Sequence, residues 1–460
     1  MSRRSAEGRP GELACRCSPS GGGLAFACLI ALAGCAESGT GGADGAGGRL
    51  GGGGQLAGVD AGAGGELAGS GGTGGRATGS GGAPPGSGGA ALNGGAGGAR
   101  DAAADLPAGA DARDARDLGS EGAVDAGPPA AGVIAAGVRW FGRIDTSNPA
   151  APRFSWSGNG FAARFSGTAL AAQLNNSAAF IFKTIIDGQP QPTFVSTAGQ
   201  ATYTLATGLP SGTHIVELQR QTEGSQGGSQ LLGLTVTGGT LLAPPPAPGR
   251  LIEIVGDSIS CGYGTLGTIA DGDCFATESH WDTYGAVAAR ALGADLSTIA
   301  ISGQGVYRNY GGDMQNTLPM VYTRALTNDA SPLWDFRTQP QAVIINLGTN
   351  DISNNKGDPG AGFLQAYLGL TQAVRSHYPG ALIVCVIGPL LSGTELTTIR
   401  NYIRMAVTMR NASGDANIEF FDMLAPQTSD KAACAYHPNP AENQLVAGQL
   451  VTELRARLGW

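Results

Sequence analysis

Histidine is scarce in this chain: four in 460 residues, at positions 214, 280, 377 and 437. No two of them stand at His-x-x-x-His spacing, and no Cys-x-x-Cys pair occurs among the eight cysteines, so the common zinc frameworks are missing and no metal site is expected. Basic residues are short as well. With 28 Lys and Arg against 36 Asp and Glu the formal charge is −8. Binding to a phosphate backbone needs a positive face, so nucleic acid is set aside as a partner. Nor is there an apolar run long enough to span a bilayer; Leu24 to Ala33 is about ten residues. From Ala36 to about Ala131 aromatic side chains are missing too. That stretch is Gly, Ala, Ser and Asp, with eleven acidic residues against five basic ones, and it holds much of the chain's 78 glycines. Such a composition buries too little apolar area to offset the entropy of ordering. We read 36–131 as a disordered linker, with a Gly-rich r.m.s. reach of roughly 50–60 Å.

What precedes the linker reads as an export signal. Arg3, Arg4, Arg9 and Arg16 form a positive region ahead of the short apolar core. The core ends in Leu32-Ala33-Gly34-Cys35, which resembles the lipobox of bacterial lipoproteins, in which cleavage precedes the cysteine and the thiol carries lipid. Residues 1–35 are therefore expected to be a signal peptide with Cys35 lipidated; the alternative is an ordinary secretory signal cut nearby. Either way the expected location is extracytoplasmic, anchored to the outer membrane or cell surface by lipid alone, or else secreted.

The remaining length suits two domains. From 132 to 245 short alternating strands are punctuated by turn residues, including Ser157-Gly158-Asn159-Gly160 and Asp187-Gly188. No helical period emerges, and the spacing predicts a β-sandwich of jelly-roll type. The proline run 244–248 closes it. From 250 to 460 the pattern changes to continuous apolar runs: Leu251 to Val255, Leu296 to Ile301, Ala342 to Leu347, Leu382 to Ile387 and Ile418 to Phe421. Helical segments separate them, which predicts a doubly wound parallel α/β sheet. Sites on such sheets sit at the carboxyl ends of the strands.

Chemistry-bearing residues follow those strands. Gly256-Asp257-Ser258 follows the first, Ser302-Gly303-Gln304-Gly305 the second and Gly348-Thr349-Asn350-Asp351 the third. His437-Pro438-Asn439 precedes the last helix. A hydroxyl, glycine amides, a side-chain amide and an imidazole are the parts an ester hydrolase needs. In order, Ser258, Gly303, Asn350 and His437 resemble the four residues for which the SGNH (GDSL-type) hydrolases are named. The runs Gly256 to Gly264 and Ser302 to Tyr310 are similar to the second family of carbohydrate esterases, which also carries an N-terminal jelly roll; Phe154-Ser155-Trp156-Ser157-Gly158 fits that domain.

The resemblance implies deacetylation of polysaccharides such as xylan or glucomannan. Ser258 would be the nucleophile and His437 its base. Ser258 N–H, Gly303 N–H and the Asn350 amide would form the oxyanion hole, with no cofactor. An alternative on the same fold is a lipid or aryl ester hydrolase, and a further one is a non-catalytic carbohydrate-binding protein. Tyr307, Tyr310, Trp281 and Tyr436 are candidates to stack on sugar rings. Most SGNH hydrolases place an Asp three residues before the histidine, where this chain has Cys434. A backbone carbonyl then orients His437, or a distant acid such as Asp430 does; a Ser-His dyad is the expectation. Asp257 and Asp351 read as loop-bracing residues, and His214 and His377 as structural. His280 either lines a cleft or caps the next helix. Cys261 and Cys274 flank the loop after the nucleophile and are read as a disulfide, and Cys385 as a buried thiol.

Overall fold

Alternation of apolar and polar residues sends every second side chain of a strand to one face, and in the first domain those faces meet. The computed structural model describes residues 137–423 and 432–460. The signal segment, Cys35, the linker and Asp430 lie outside the described residues. Gly160–Gly167, Gly212–Arg220 and Ile181–Ile186 centre one antiparallel sheet; Ala169–Asn176, Ser229–Thr237 and Gly199–Ala206 centre the other. Phe161, Phe165 and Leu218 from the first sheet pack with Leu170, Leu174 and Leu231 from the second. The expected sandwich is present. At its Asp187-Gly188 hairpin both central residues are left-handed, with φ of 49° and 77°, and Ile186 faces Gln189. That is the turn that suits strand twist.

The second domain is a five-stranded parallel sheet. Its order is Asp295–Ala300, Leu251–Gly256, Ala342–Asn346, Leu382–Val386, Ile418–Phe421. Both faces are covered, which is why the strands read as near-continuous apolar runs. Val255, Val343, Ile345 and Ile383 pack on one side against Phe363, Tyr367, Ile399 and Ile403 of helices Gly360–His377 and Gly393–Ala412. Ile252, Ile254, Ile344 and Val384 pack on the other, against Tyr284, Leu292, Val446 and Leu450 of helices Tyr284–Leu292 and Pro440–Leu458. Asn439 caps the last helix, its side chain accepting from Glu442 N–H at 3.0 Å, with Pro440 in the first turn. The order doubles back between the first and third strands, so the loops after them open a crevice there.

The two domains share buried surface. Trp156 of the sandwich is fully buried within the second domain's core and donates Nε1–H to the Ala325 carbonyl at 3.0 Å. Beside it, Ser155 Oγ accepts from Thr327 N–H at 2.9 Å. Arg143 of the sandwich reaches Glu253 in the first parallel strand, with both carboxylate oxygens at 3.2 Å. The hydroxyls of Tyr322 and Tyr378 donate to the same carboxylate at 2.8 and 3.0 Å. A charged pair this deep is tolerable because nearly every lone pair has a donor. Removing one partner would strand the other.

Candidate active site

The first parallel strand ends at Gly256, and Asp257 then caps a single helical turn, Ser258–Cys261, by accepting Ile259 N–H on Oδ1 at 3.1 Å. The cap sets Ser258 at the start of the turn, where it lines a cavity of about 450 Å³. His437 Nε2 stands 2.7 Å from Ser258 Oγ. On the other side of the ring, Nδ1 donates to the main-chain carbonyl of Ala435 at 3.2 Å. That bond selects the tautomer whose Nε2 is free to accept the serine proton. Burial lowers the His437 pKa from 6.5 to about 4, against the opposing pull of the Ala435 and Cys434 carbonyls. The imidazole is neutral at neutral pH, as a base must be.

No carboxylate reaches Nδ1 among the described residues. Asp422 pairs with Arg400 at 3.1 Å and Arg404 at 3.5 Å. The position before Ala435 is taken up by a disulfide, Cys274–Cys434, with Cα atoms 5.5 Å apart. This corrects the pairing of Cys261 with Cys274. Cys261 lies inside the helical turn, fully buried as a free thiol, and its sulfur faces two glutamates. Cys385 is also a buried thiol, as expected. The disulfide anchors a strained segment: Ala435 and Tyr436 have φ of 50° and 62°, left-handed values rare for side-chain-bearing residues. The turn is closed by Ala433 N–H to the His437 carbonyl at 2.7 Å and His437 N–H to the Cys434 carbonyl at 3.1 Å. This kink aims the Ala435 carbonyl at the histidine.

Gly303 and Asn350 line the same cavity. Gly303 has φ of 78°, and a Cβ there would meet its nearest neighbour at 3.8 Å. The glycine is needed for its left-handed backbone rather than for close approach. Asn350 Nδ2 donates to the Gln304 carbonyl at 2.9 Å and reaches Asp257 Oδ2 at 3.3 Å. Burial pushes Asp257 up to about 7. Asp351 braces the neighbouring loop, accepting the amides of Val306, Tyr307 and Arg308 at 3.0, 2.8 and 3.0 Å. Neutral base, nucleophile and candidate oxyanion donors thus face one space. That set is equipped for acyl transfer.

Two family models cover most of the described chain: the carbohydrate esterase 2 N-terminal domain matches residues 140–246, and the GDSL-like lipase/acylhydrolase family matches 254–445. A solved structure of a family two carbohydrate esterase from Clostridium thermocellum, in complex with cellohexaose, is 37% identical with a TM-score of 0.68. The match covers 70% of this chain and 99% of that one. The chain belongs to carbohydrate esterase family 2. It is also 37% identical to the cellulase/esterase CelE of Acetivibrio thermocellus, over 70% of this chain and 40% of that protein, so it spans well under half of that relative's length. An acetylxylan esterase/glucomannan deacetylase of Cellvibrio japonicus is 27% identical over 70% of this chain and 89% of its own.

Of the four aromatics expected at this family 2 site, only Tyr310 lines the cavity, half-exposed. Tyr307 instead packs on Gly362 at the helical layer. Trp281 stacks under Arg290, 3.7 Å from the ring centroid, with Lys183 at 5.3 Å; it belongs to the face between the domains. Tyr436 is exposed beside His437 without lining the cavity. His280 is buried against Gly158 of the sandwich and bonds Thr298 Oγ1 at 2.9 Å, away from the cavity. His214 is held by Asp187 and the Pro210 carbonyl, and His377 stacks on Phe336. The residues that pattern reading missed are Tyr263 and Phe275. Tyr263 sets its ring edge-on to His437 at 5.1 Å, and Phe275 packs on Tyr263 at 4.8 Å. Tyr263 sits in the run that carries Ser258, five residues on, which was the available signal.

Proposed function

We propose that the chain is a serine esterase that removes O-acetyl groups from polysaccharides such as xylan or glucomannan. The observation that carries this reading is the 2.7 Å contact between Ser258 Oγ and a neutral His437, in a cavity that Gly303 and Asn350 also line. The relatives' names, esterase and acetylxylan esterase/glucomannan deacetylase, support the substrate class. Ser258 Oγ attacks the acetyl carbonyl as His437 Nε2 takes its proton. The oxyanion is held by Ser258 N–H, Gly303 N–H and Asn350 Nδ2, the last exchanging its long contact to Asp257. Each such donor is worth on the order of 2.7–4 kcal/mol of barrier. His437 then protonates the departing sugar oxygen, and water, deprotonated by His437, releases acetate from the acetyl-serine. The test is acetate release from acetylated xylan and glucomannan. If neither these nor a small acetyl ester yields acetate, the reading fails.

Two consequences follow from the histidine. Its base form is lost only as pH falls through about 4. The expected kcat/KM profile declines about tenfold per pH unit below that point; a limb near 6.5 that persists in Asp257→Asn, which removes the other group titrating near neutrality, would contradict the buried setting. Because the Ala435 carbonyl orients the ring, Asp422→Asn combined with Asp430→Asn should change kcat less than about twofold. A large loss in that double variant would restore a carboxylate triad.

We place the enzyme outside the cytoplasm, held by lipid on Cys35 and spaced from the membrane by the Gly-rich linker. The Cys274–Cys434 disulfide supports an oxidising compartment.

A further inference from the structure

One sandwich carboxylate lies against three separate loops of the catalytic domain. Glu223 follows the strand Gly212–Arg220 and is fully buried. Its Oε2 accepts the backbone N–H of Ser302 at 3.1 Å and also the Ser302 hydroxyl. Ser302 immediately precedes Gly303. The Glu223 and Glu278 carboxylates and the Cys261 sulfur lie within 4.8 Å of one another. Cys261 ends the turn that begins with Ser258. Glu278 accepts Glu223 N–H at 3.0 Å and stands four residues beyond Cys274, whose disulfide partner precedes the His437 kink. Glu223 thus touches the glycine loop, the nucleophile turn and the segment tied to the histidine loop. Its other oxygen accepts the Ser225 hydroxyl within the sandwich.

We propose that Glu223 is a positioning residue for catalysis. By holding Ser302 from the sandwich side, it fixes the direction of Gly303 N–H and makes the sandwich part of the catalytic frame. This deepens the esterase reading and rests on Gly303 being an oxyanion donor. Several features fit. Glu223 makes no contact with the cavity, which Ser302 and Gly303 line. A charge-assisted acceptor is the strongest available clamp on a backbone amide. Gly303 has a left-handed backbone and lacks a side chain, so its orientation depends on what holds its neighbours. On the far side, its carbonyl accepts Tyr310 N–H at 2.7 Å. Burial, with the Glu223 charge beside it, raises Glu278 well above the usual carboxylate range, which lets two acids share this buried space.

The test compares Glu223→Ala, Glu223→Gln and Glu223→Asp with the full wild-type chain, using acetylated glucomannan and a small acetyl ester. Glu223→Ala should lower kcat about 30-fold or more with KM within about twofold, because the loss falls on the transition state rather than on substrate binding. Glu223→Gln keeps an oxygen toward Ser302 while Ser225 turns its hydroxyl to accept, so it should recover kcat to within about fivefold of wild type. A folded Glu223→Ala enzyme with kcat within twofold of wild type, or with its loss confined to KM, overturns the proposal. If the alanine variant does not fold, Glu223→Asp decides, because its shorter side chain withdraws the acceptor from the Ser302 amide. A kcat reduced at least threefold at unchanged Tm supports the clamp, and an unchanged kcat overturns it. Inactive wild-type protein would count against the esterase reading, whereas active wild-type protein with an equally active Glu223→Ala variant would count against the clamp alone.

Discussion

Ser258→Ala lowers acetate release by about 10⁴-fold or more while leaving the Tm within a degree or two. The size of the loss follows from the work asked of one atom. Without Oγ there is no covalent intermediate, and His437 has no proton to accept. The oxyanion donors survive, because none of them is a side-chain atom of Ser258. The remaining rate therefore reflects binding and oxyanion stabilisation alone. Stability is spared because the turn is capped by Asp257 and its main-chain bonds to Ser260 and Cys261, which alanine keeps. Acetate assay and calorimetry on the same preparation check both halves. A rate within tenfold of wild type would mean that another group attacks the ester.

The second large effect concerns the disulfide. Replacing both Cys274 and Cys434 by serine should cost about 2–5 kcal/mol of stability, as loss of a native crosslink across a long loop usually does. Here the bond spans 160 residues of sequence. Activity should fall as well, about 10–100-fold at temperatures where the variant is folded, since a displacement near 1 Å at a catalytic base has that scale. The cause is local. Cys434 immediately precedes Ala435 and Tyr436, whose left-handed backbones are held only by their surroundings. Once the anchor is cut, the Ala435 carbonyl no longer has a fixed direction and the His437 ring can turn. Kinetics at low temperature, alongside thermal unfolding, separate the two losses. Full activity in a folded double-serine variant would show that the kink stands without its crosslink.

Much of this arrangement was legible in the sequence for a physical reason. Ser258, Gly303 and Asn350 each follow an apolar run by a few residues, and a parallel sheet gathers the ends of its strands on one edge. Local order in the sequence therefore became proximity in space. His437 joined them from the N-terminal side of the last helix, marked by its Asn439 cap. Contacts made through domain docking were not legible. Glu253 interrupts an apolar run, and nothing nearby names Arg143 as its partner more than a hundred residues away. The pairing of Cys274 with Cys434 depends on two loops meeting above the sheet, so closeness in sequence pointed to Cys261 instead. Trp281 looked like a sugar platform because aromatic faces complement sugar rings; its ring instead faces cations on the surface between domains, which no local pattern reveals. The left-handed pair Ala435-Tyr436 carries no glycine to announce it. Glu223 reads as one more polar residue in a turn until the sandwich is seated against Ser302.

The reaction turns on Ser258, activated by His437, forming the bond to the acyl group. Titration with a fluorophosphonate, followed by peptide mass mapping, tests it most directly, because that reagent leaves a stable adduct on an activated serine. One adduct per chain is expected, on Ser258, appearing in step with the loss of esterase activity and missing from the His437→Ala variant. Inactivation with the label on any other residue, or esterase activity that persists with Ser258 fully labelled, would contradict it.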